Sequence, residues 1–282
     1  MDNQKLKQNA EEQIACNLCG GARHTLYQTA EPPFRVLKCN TCGLVFVHPQ
    51  PENVQTAYED EYYRPWLESQ TQPRLKMWSR RLRDVENAQH ARGRILDVGC
   101  GIPHFLSLAR GNGWDISGTE ISKFACRYAA EEMSIEVFHG PLENARFADN
   151  SFDVVTIWHV LEHVPDPIAT FREIHRILRP SGLLVAAVPN LDNHFMRVAY
   201  RLIKGHPEQL FSTADREIHL YHFSPETLRK LTETAGFSVI KVTPDRGEVM
   251  PAKQLIDAAP SLLNRITGLN YTNTIRIYAR KK

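Results

Sequence analysis

Two groups of residues in this 282-residue chain have types and spacings that could do chemistry. Four cysteines form two CxxCG pairs, Cys16 with Cys19 and Cys39 with Cys42. Zinc favours a tetrahedron of four thiolates, which leaves no open position for catalysis, and the glycine eases the turn of each pair. The spacing predicts a structural zinc ribbon over residues 1–48. Two disulfides are the alternative, which a reducing compartment disfavours.

The second group lies at a glycine-rich turn, ILDVGCG at 95–101. Ligands of open parallel sheets bind beyond the carboxyl ends of the strands, and glycines there let a ligand approach the backbone. Glu120 ends the next predicted strand, where an acid can accept hydrogen bonds from both ribose hydroxyls. The turn therefore predicts a ligand that contains a nucleoside.

The residues after the turn distinguish two such ligands. A dinucleotide requires GxGxxG and free N–H groups at the helix N-terminus to hold its pyrophosphate. Here His104 stands in place of the third glycine, and Pro103 removes one donor. S-adenosylmethionine has no phosphate to hold, so a proline at the start of the helix costs it little. The turn therefore favours S-adenosylmethionine.

Strand and helix patterns alternate from residue 94 onward, which predicts an α/β fold. We expect a Rossmann-like, mostly parallel, seven-stranded sheet with helices on both faces. The predicted strands are 94–98, 114–119, 135–138, 153–158, 183–188, 238–242 and 274–280, and the predicted helices are 103–110, 122–132, 169–180 and 224–237. Ser224 is the predicted N-cap of the last helix, with Pro225 at its first position.

The same patterns divide the chain into three parts. The zinc ribbon is followed by a linker and capping helices over 49–93, including an amphipathic helix at 74–91 with a basic face. The α/β domain covers 94–282 and carries inserts near 190–223 and 248–270. Both inserts are apolar at helical spacing, which is typical of lid packing, although an interfacial surface that reaches a lipid-linked acceptor is an alternative.

Composition and charge exclude several classes of protein. The chain has 42% hydrophobic residues and a formal net charge of +2. It shows neither the roughly 20 apolar residues of a membrane span nor a secretory signal, so a cytoplasmic protein is expected. Nucleic acid is an unlikely partner, because the basic residues of the predicted ribbon are nearly balanced by acidic ones.

Four motifs occur in an order that resembles the class I S-adenosylmethionine-dependent methyltransferases: ILDVGCG at 95–101, GTEIS around Glu120, SFDVVTIWHVLEHVPDP at 151–167 and LRPSGLLVAAVPN at 178–190. With the cysteine pairs and HLYHFSPETLRKLTETAGF at 219–237, the chain is similar to the branch whose members carry an N-terminal zinc ribbon. The resemblance covers nearly the whole chain. Its motifs specify the cofactor but say little about the methyl acceptor.

The resemblance implies nine cofactor-binding residues: Asp97, Gly99, Cys100, Gly101, Glu120, Ile121, Leu142, Glu143 and Trp158. The residues of the glycine turn would surround the methionine part, and Glu120 would bind the ribose diol. Ile121 and Leu142 would sandwich the adenine. The chain departs from the family pattern at Pro103, often a glycine, and at Pro141, often an acid that contacts the adenine amine.

Histidines are the candidates for a general base, because an imidazole titrates near neutral pH. His159, beside Trp158, would line the methyl-transfer cavity, and a role in lining the cofactor without proton transfer is its alternative. His219 and His222 are further candidates, or pin a lid. Glu162 and His163 are expected to form structural hydrogen bonds; with His159 they also resemble the metal-binding trio of some quinone O-methyltransferases.

The predicted function is methyl transfer from S-adenosylmethionine to a hydroxyl of a small-molecule or saccharide-like acceptor. One alternative is an RNA methyltransferase that uses the zinc ribbon as a clamp, supported by the basic face of the helix at 74–91. Another is a non-catalytic zinc-ribbon interaction protein, which the intact Asp97, Gly99, Gly101 and Glu120 disfavour. The oligomeric state is not predicted.

Overall fold

A computed structural model describes residues 14–51, 60–69, 71–245 and 272–282. Its larger sheet has seven strands in the order β10-β11-β8-β7-β4-β5-β6. The strands are β4 (Arg94–Val98), β5 (Asp115–Glu120), β6 (Phe138–His139), β7 (Phe152–Trp158), β8 (Leu178–Pro189), β10 (Phe237–Pro244) and β11 (Thr274–Lys281). Strand β11 pairs antiparallel with both neighbours, and the other pairs are parallel. The predicted mostly parallel seven-stranded sheet is confirmed.

Seven helices accompany the strands in the described part of the chain: α1 (Asp60–Ser69), α2 (Thr71–Ala88), α3 (His104–Gly111), α4 (Lys123–Met133), α5 (Pro167–Ile177), α6 (His194–Lys204) and α7 (Pro225–Thr234). Successive residues of β4 point to opposite faces of the sheet. Ile95 belongs to the core formed with α2 and α3, whereas Leu96 belongs to the core formed with α5 and α7. Helices therefore cover both faces, as predicted.

Local chemistry explains where several helices begin. Ser224 caps α7 in a capping box with Thr227, and Pro225 occupies the first turn, as the sequence predicted. Ser122 caps α4 by accepting a hydrogen bond from the Ala125 N–H. Pro103 precedes α3 at the N-cap position and offers no side-chain cap. Its missing N–H is thus one that the helix would not have used.

Several predicted boundaries were wrong, among them the start of β8, predicted at 183 and found at Leu178, and both ends of the helix predicted at 74–91, which is α2 at Thr71–Ala88. The strand expected at 135–138 forms at 138–139, because its pairing with β5 is limited to two residues at the sheet edge. The helix expected at 169–180 ends at Ile177, since Leu178 already pairs with Phe152 in the sheet. The insert predicted near 248–270 lies outside the described residues, and the insert near 190–223 contains α6.

A second sheet is built from β1 (His24–Thr29), β2 (Arg35–Cys39), β3 (Val45–His48) and β9 (Tyr221–His222). The first three strands come from the cysteine-containing segment, and β9 comes from the HLYHF motif. Phe46 pairs with Tyr221 and Val45 with His222. This N-terminal sheet is therefore completed by the end of the 190–223 insert. No helix in the described ranges is long and apolar enough to cross a bilayer.

Candidate active site and four-cysteine cluster

The glycine turn after β4 has a backbone conformation that residues with a Cβ atom rarely adopt. Gly99 and Gly101 have φ angles of +65° and +53°, in the left-handed region that favours glycine. A Cβ atom on Gly99 would lie 2.5 Å from Cγ2 of Val160, which is closer than real Cβ contacts. The turn is therefore tight. It lies at the carboxyl ends of β4 and β5, where ligand sites of parallel sheets are found.

Glu120, at the end of β5, holds this turn in place. Its side chain is only 5% exposed. The Gly101 N–H donates to Oε2 at 2.7 Å, and the Ser122 N–H donates to Oε1 at 2.8 Å. Burial raises the pKa of this carboxyl, and the backbone donors oppose that rise. A carboxylate has about four acceptor positions, so two remain for other donors such as the hydroxyls of a ribose.

Asp97 is the acidic residue of β4 next to the turn, and it is 2% exposed. The Thr156 hydroxyl donates to its Oδ1 at 2.6 Å. Burial raises the pKa of Asp97 to about 7, against the hydrogen bond from Thr156. The carboxyl is therefore poised to ionise near neutral pH, when a positive charge approaches it.

All nine predicted cofactor-binding residues line one cavity of about 760 Å³. Cofactor and substrate sites in proteins typically enclose roughly 300 to 1,000 Å³, so this cavity is large enough for a nucleoside cofactor and a small acceptor. The residues fit S-adenosylmethionine, because the buried Glu120 can accept from the hydroxyls of a ribose and the apolar Leu142 can pack against an adenine.

A wall of aromatic side chains also lines the cavity. Tyr62 and Tyr63 of α1 and Trp78 of α2 line it, together with Trp158 at the end of β7. Trp158 was predicted to lie in the site, whereas the sequence predicted capping helices before the α/β domain without assigning Tyr62, Tyr63 or Trp78 to it. The only signal was the concentration of aromatic and basic residues between 60 and 85.

Arg81 of α2 connects this wall to His159. Its guanidinium lies 4.8 Å from the ring centre of Trp78 and 4.7 Å from that of Trp158, in contact with both indoles. It forms a buried ion pair with Asp245, whose pKa is lowered because Arg81 and Arg276 outweigh the opposing effect of burial. Arg81 Nη2 also lies 3.2 Å from Nε2 of His159. Since arginine only donates, His159 accepts at Nε2 and carries its proton at Nδ1.

The three candidate base histidines occupy different positions. His159 lines the cavity with a 36% exposed side chain, and its Nδ1 lies 3.6 Å from Oε1 of Glu162. His219 and His222 are not among the residues that line this cavity in the described part of the chain. Burial lowers the pKa of His222 to about 3, so it is neutral at physiological pH.

Glu162 and His163 lie close to His219. Their ligand atoms, with one ring nitrogen of His219, are all within 4.8 Å of one another, a spacing that a metal ion could use. The His163 Nδ1–H donates to the Ile218 carbonyl at 2.7 Å. Burial would raise the pKa of Glu162, but the adjacent imidazoles of His159 and His163 lower it. His163 also lines the cavity, a position that sequence reasoning did not assign to it.

The four cysteines converge as the spacing predicted. Their sulfur atoms all lie within 4.8 Å of one another. The Cys16 and Cys42 sulfurs are 3.6 Å apart, and those of Cys19 and Cys39 are 3.5 Å apart. Zinc–sulfur bonds of about 2.3 Å in a tetrahedron place the sulfurs roughly 3.8 Å apart. The thiol set therefore fits a zinc ion.

The fold is that of the class I S-adenosylmethionine-dependent methyltransferases. A family model described as "Methyltransferase domain" matches residues 68–242, which is more than half of the chain. The chain belongs to this family and is an S-adenosylmethionine-dependent methyltransferase. The match favours an enzyme over the alternative of a non-catalytic interaction protein. Strands β1 to β3, with the four cysteines, precede the matched residues, so the match does not extend to the predicted zinc ribbon.

Relatives and solved structures agree with this assignment. The demethylmenaquinone methyltransferase of Staphylococcus saprophyticus is 28% identical over 192 residues, 62% of this chain and 82% of the relative. A methyltransferase structure from Thermotoga maritima, described as a possible histamine N-methyltransferase, has a TM-score of 0.51 at 22% identity and covers 79% of this chain and 95% of its own. A structure from Pyrococcus horikoshii has a TM-score of 0.54 at 18% identity, covering 79% and 99%. Both structures show the fold alone.

Proposed function

We propose that this enzyme transfers a methyl group from S-adenosylmethionine to a hydroxyl of a small-molecule acceptor. The observation that carries the proposal is one continuous cavity. It is lined by Glu120 and Leu142, where the nucleoside would bind, by the glycine turn, by His159 and by the aromatic wall of α1 and α2. The cofactor half and the acceptor half therefore meet at Trp158 and His159.

Each part of the cavity has a task in such a transfer. Glu120 would bind the ribose diol, Asp97 and the turn would hold the methionine part, and Ile121 and Leu142 would enclose the adenine. When bound, S-adenosylmethionine supplies an electrophilic methyl group. Holding the acceptor in line with it can contribute roughly 7 to 11 kcal/mol. His159 would take the proton of the acceptor hydroxyl at Nε2, once that hydroxyl displaces the contact of Nε2 with Arg81.

The names of the relatives and the aromatic side chains of the cavity indicate which class of methyl acceptor to test. The similar Staphylococcus proteins are named demethylmenaquinone methyltransferases, which supports a small molecule with a ring. Tyr62, Tyr63 and Trp78 offer flat apolar surfaces to such a ring. The apolar face of a saccharide could stack on the same surfaces, so both acceptor classes belong in the first screen.

The proposal is tested by incubating the enzyme with S-adenosylmethionine and a panel of quinols, phenols and saccharides, with total RNA as a further acceptor. Adenosylhomocysteine and the product that has gained one methyl group are measured by mass spectrometry. Methylation of a small hydroxyl compound supports the proposal. Salt-dependent methylation of RNA alone would contradict it.

We further propose a structural zinc in the four-cysteine cluster. Cys16, Cys39 and Cys42 are buried and Cys19 is exposed, so the ion would be enclosed on three sides. Four thiolates leave no position for a substrate, and the metal would therefore stabilise the N-terminal sheet rather than take part in methyl transfer.

His159→Gln is expected to lower kcat by about 100-fold while the Kd for S-adenosylmethionine stays within about twofold, because loss of a general base affects the chemical step. Steady-state kinetics and isothermal titration calorimetry measure the two quantities. His206→Gln, at an exposed histidine, is the matched control. Equal turnover of the His159 variant and the control would leave His159 with a lining role only.

Cofactor affinity is expected to rise with pH through about 7. Burial raises the pKa of Asp97 to about 7, so the free protein holds a proton there at lower pH. The ammonium and sulfonium charges of the cofactor favour the ionised carboxylate, so binding releases that proton. The Kd should therefore increase by up to about tenfold per unit as pH falls below 7.

Calorimetry between about pH 6 and 8 measures this dependence, and Asp97→Asn should abolish it while weakening binding at every pH. A wild-type Kd that is constant over this range would show that Asp97 does not exchange a proton on binding.

A further inference from the structure

The N-terminal sheet contacts the cofactor cavity through a small hydrogen-bonded cluster, which we call the knuckle junction. It consists of the side chains of Asn17, Gln50 and Tyr221 around the backbone carbonyl of Pro165. Asn17 lies inside the first cysteine pair, Cys16-Asn17-Leu18-Cys19. Pro165 lies in the loop between β7 and α5 and lines the cavity.

The hydrogen bonds of the junction all converge on two oxygen atoms. Asn17 Nδ2 donates to the Tyr221 hydroxyl at 2.6 Å and to the Pro165 carbonyl at 3.2 Å. Gln50 Nε2 donates to the same hydroxyl at 2.8 Å and to the same carbonyl at 3.2 Å. The Tyr221 hydroxyl in turn donates to the Pro165 carbonyl at 2.8 Å. The hydroxyl thus uses its one donor and both of its acceptor positions.

The backbone of Tyr221 is held by contacts with both the N-terminal sheet and the segment that follows β7. Tyr221 pairs with Phe46 of the N-terminal sheet, and its own N–H donates to the Glu162 carbonyl at 3.2 Å. Its side chain is 2% exposed, and burial raises the pKa of its hydroxyl, which stays protonated and able to donate. Tyr221 therefore has little freedom to move relative to either sheet.

A short chain of contacts leads from Pro165 to the adenine end of the cavity. Asp166, the next residue, caps α5 by accepting from the Ala169 N–H at 3.0 Å. One turn later the Thr170 hydroxyl donates to Oε1 of Glu143 at 2.9 Å. Pro165, Asp166, Thr170 and Glu143 all line the cavity. The position of the Pro165 carbonyl therefore helps to set where this wall lies.

We propose that Asn17 and Tyr221 are positioning residues for the cofactor, through which the four-cysteine cluster holds the Pro165 carbonyl and the N-terminal turn of α5 against the adenine end of the cavity. This inference rests on the proposed cofactor site. It assigns the N-terminal sheet a role in cofactor affinity, beyond the stability that a structural zinc would add.

The test uses Asn17→Asp and Tyr221→Phe in the full-length, zinc-loaded protein. The first change replaces two donors with an acceptor that repels the Pro165 carbonyl, and the second removes only the shared hydroxyl. Calorimetry is expected to show a rise of about fivefold to tenfold in the Kd for adenosylhomocysteine in each variant. The KM for S-adenosylmethionine should rise with kcat nearly unchanged, and hydrogen exchange of amides 166–170 should become faster.

The chain contains a matched control. Asn40 follows Cys39 in the second cysteine pair just as Asn17 follows Cys16 in the first, but its side chain accepts only from the exposed Thr25 hydroxyl among the described contacts. Asn40→Asp should therefore leave zinc content, Kd and exchange unchanged. Asn17→Asp combined with Tyr221→Phe should raise the Kd no more than the larger single change, because both act on one network.

Three results would overturn the inference: a Kd within twofold of the wild type in both single variants, an equal rise in Asn40→Asp, or a loss of zinc that accompanies the weaker binding. Failure of the wild-type protein to bind adenosylhomocysteine would instead overturn the proposed cofactor site, and this inference with it. The two failures are therefore distinguishable in the same titrations.

Discussion

Glu120→Ala is expected to raise the Kd for S-adenosylmethionine by about 100-fold or more. A carboxylate that accepts from two ribose hydroxyls contributes roughly 1.5 to 3 kcal/mol for each charged hydrogen bond. The change also leaves the Gly101 N–H without the acceptor it now has at 2.7 Å, so the glycine turn loses its support. Isothermal titration calorimetry of the purified variant measures the loss.

Glu136→Ala is the control for this prediction, because Glu136 is an exposed acid in the segment between α4 and β6. Its Kd should equal that of the wild type. If Glu120→Ala binds the cofactor within about threefold of wild-type affinity, the ribose is bound elsewhere and the assignment of Glu120 is wrong.

Cys39→Ser is expected to remove the zinc and to lower the melting temperature together. Cys39 is 1% exposed and its sulfur lies 3.5 Å from that of Cys19. A serine hydroxyl does not ionise near neutral pH, so it cannot replace a thiolate ligand of zinc. Structural zinc contributes folding free energy directly, and a loss of about 3 to 5 kcal/mol would lower Tm by roughly 10 °C in a protein of this size. Metal analysis and thermal unfolding measure the two effects.

Cys126→Ser serves as the matched thiol change outside the cluster, with zinc content expected to be unchanged. Retention of a full equivalent of zinc in Cys39→Ser would show that the metal is not held by the four cysteines. A loss of zinc with no change in Tm would show that the metal does not stabilise the fold.

The strands of the large sheet could be predicted because their signal is local. Strand β4 forms at 94–98, as expected, since an apolar run is bounded by Gly93 and Gly99. The glycine turn and Glu120 were found for the same reason, because a loop that approaches a nucleoside leaves a recognisable spacing in the sequence.

The aromatic wall and the knuckle junction could not be predicted in this way. Tyr62 and Trp78 reach the cavity only because α1 and α2 dock beside the glycine turn, and docking is a tertiary event. Strand β9 has two residues, too few for a periodic signal, and its partner β3 lies about 175 residues earlier in the chain. The link between the N-terminal sheet and the cavity is therefore visible only in the folded chain.

Native mass spectrometry of the purified protein, with and without added S-adenosylmethionine, tests the cofactor site and the zinc site most directly. It reports the zinc and the cofactor in one measurement. We expect one zinc ion per chain in both samples and one bound S-adenosylmethionine or adenosylhomocysteine per chain in the second. Zinc without cofactor at millimolar S-adenosylmethionine would contradict the central claim, and Pro103 and Pro141 would be the first residues to examine.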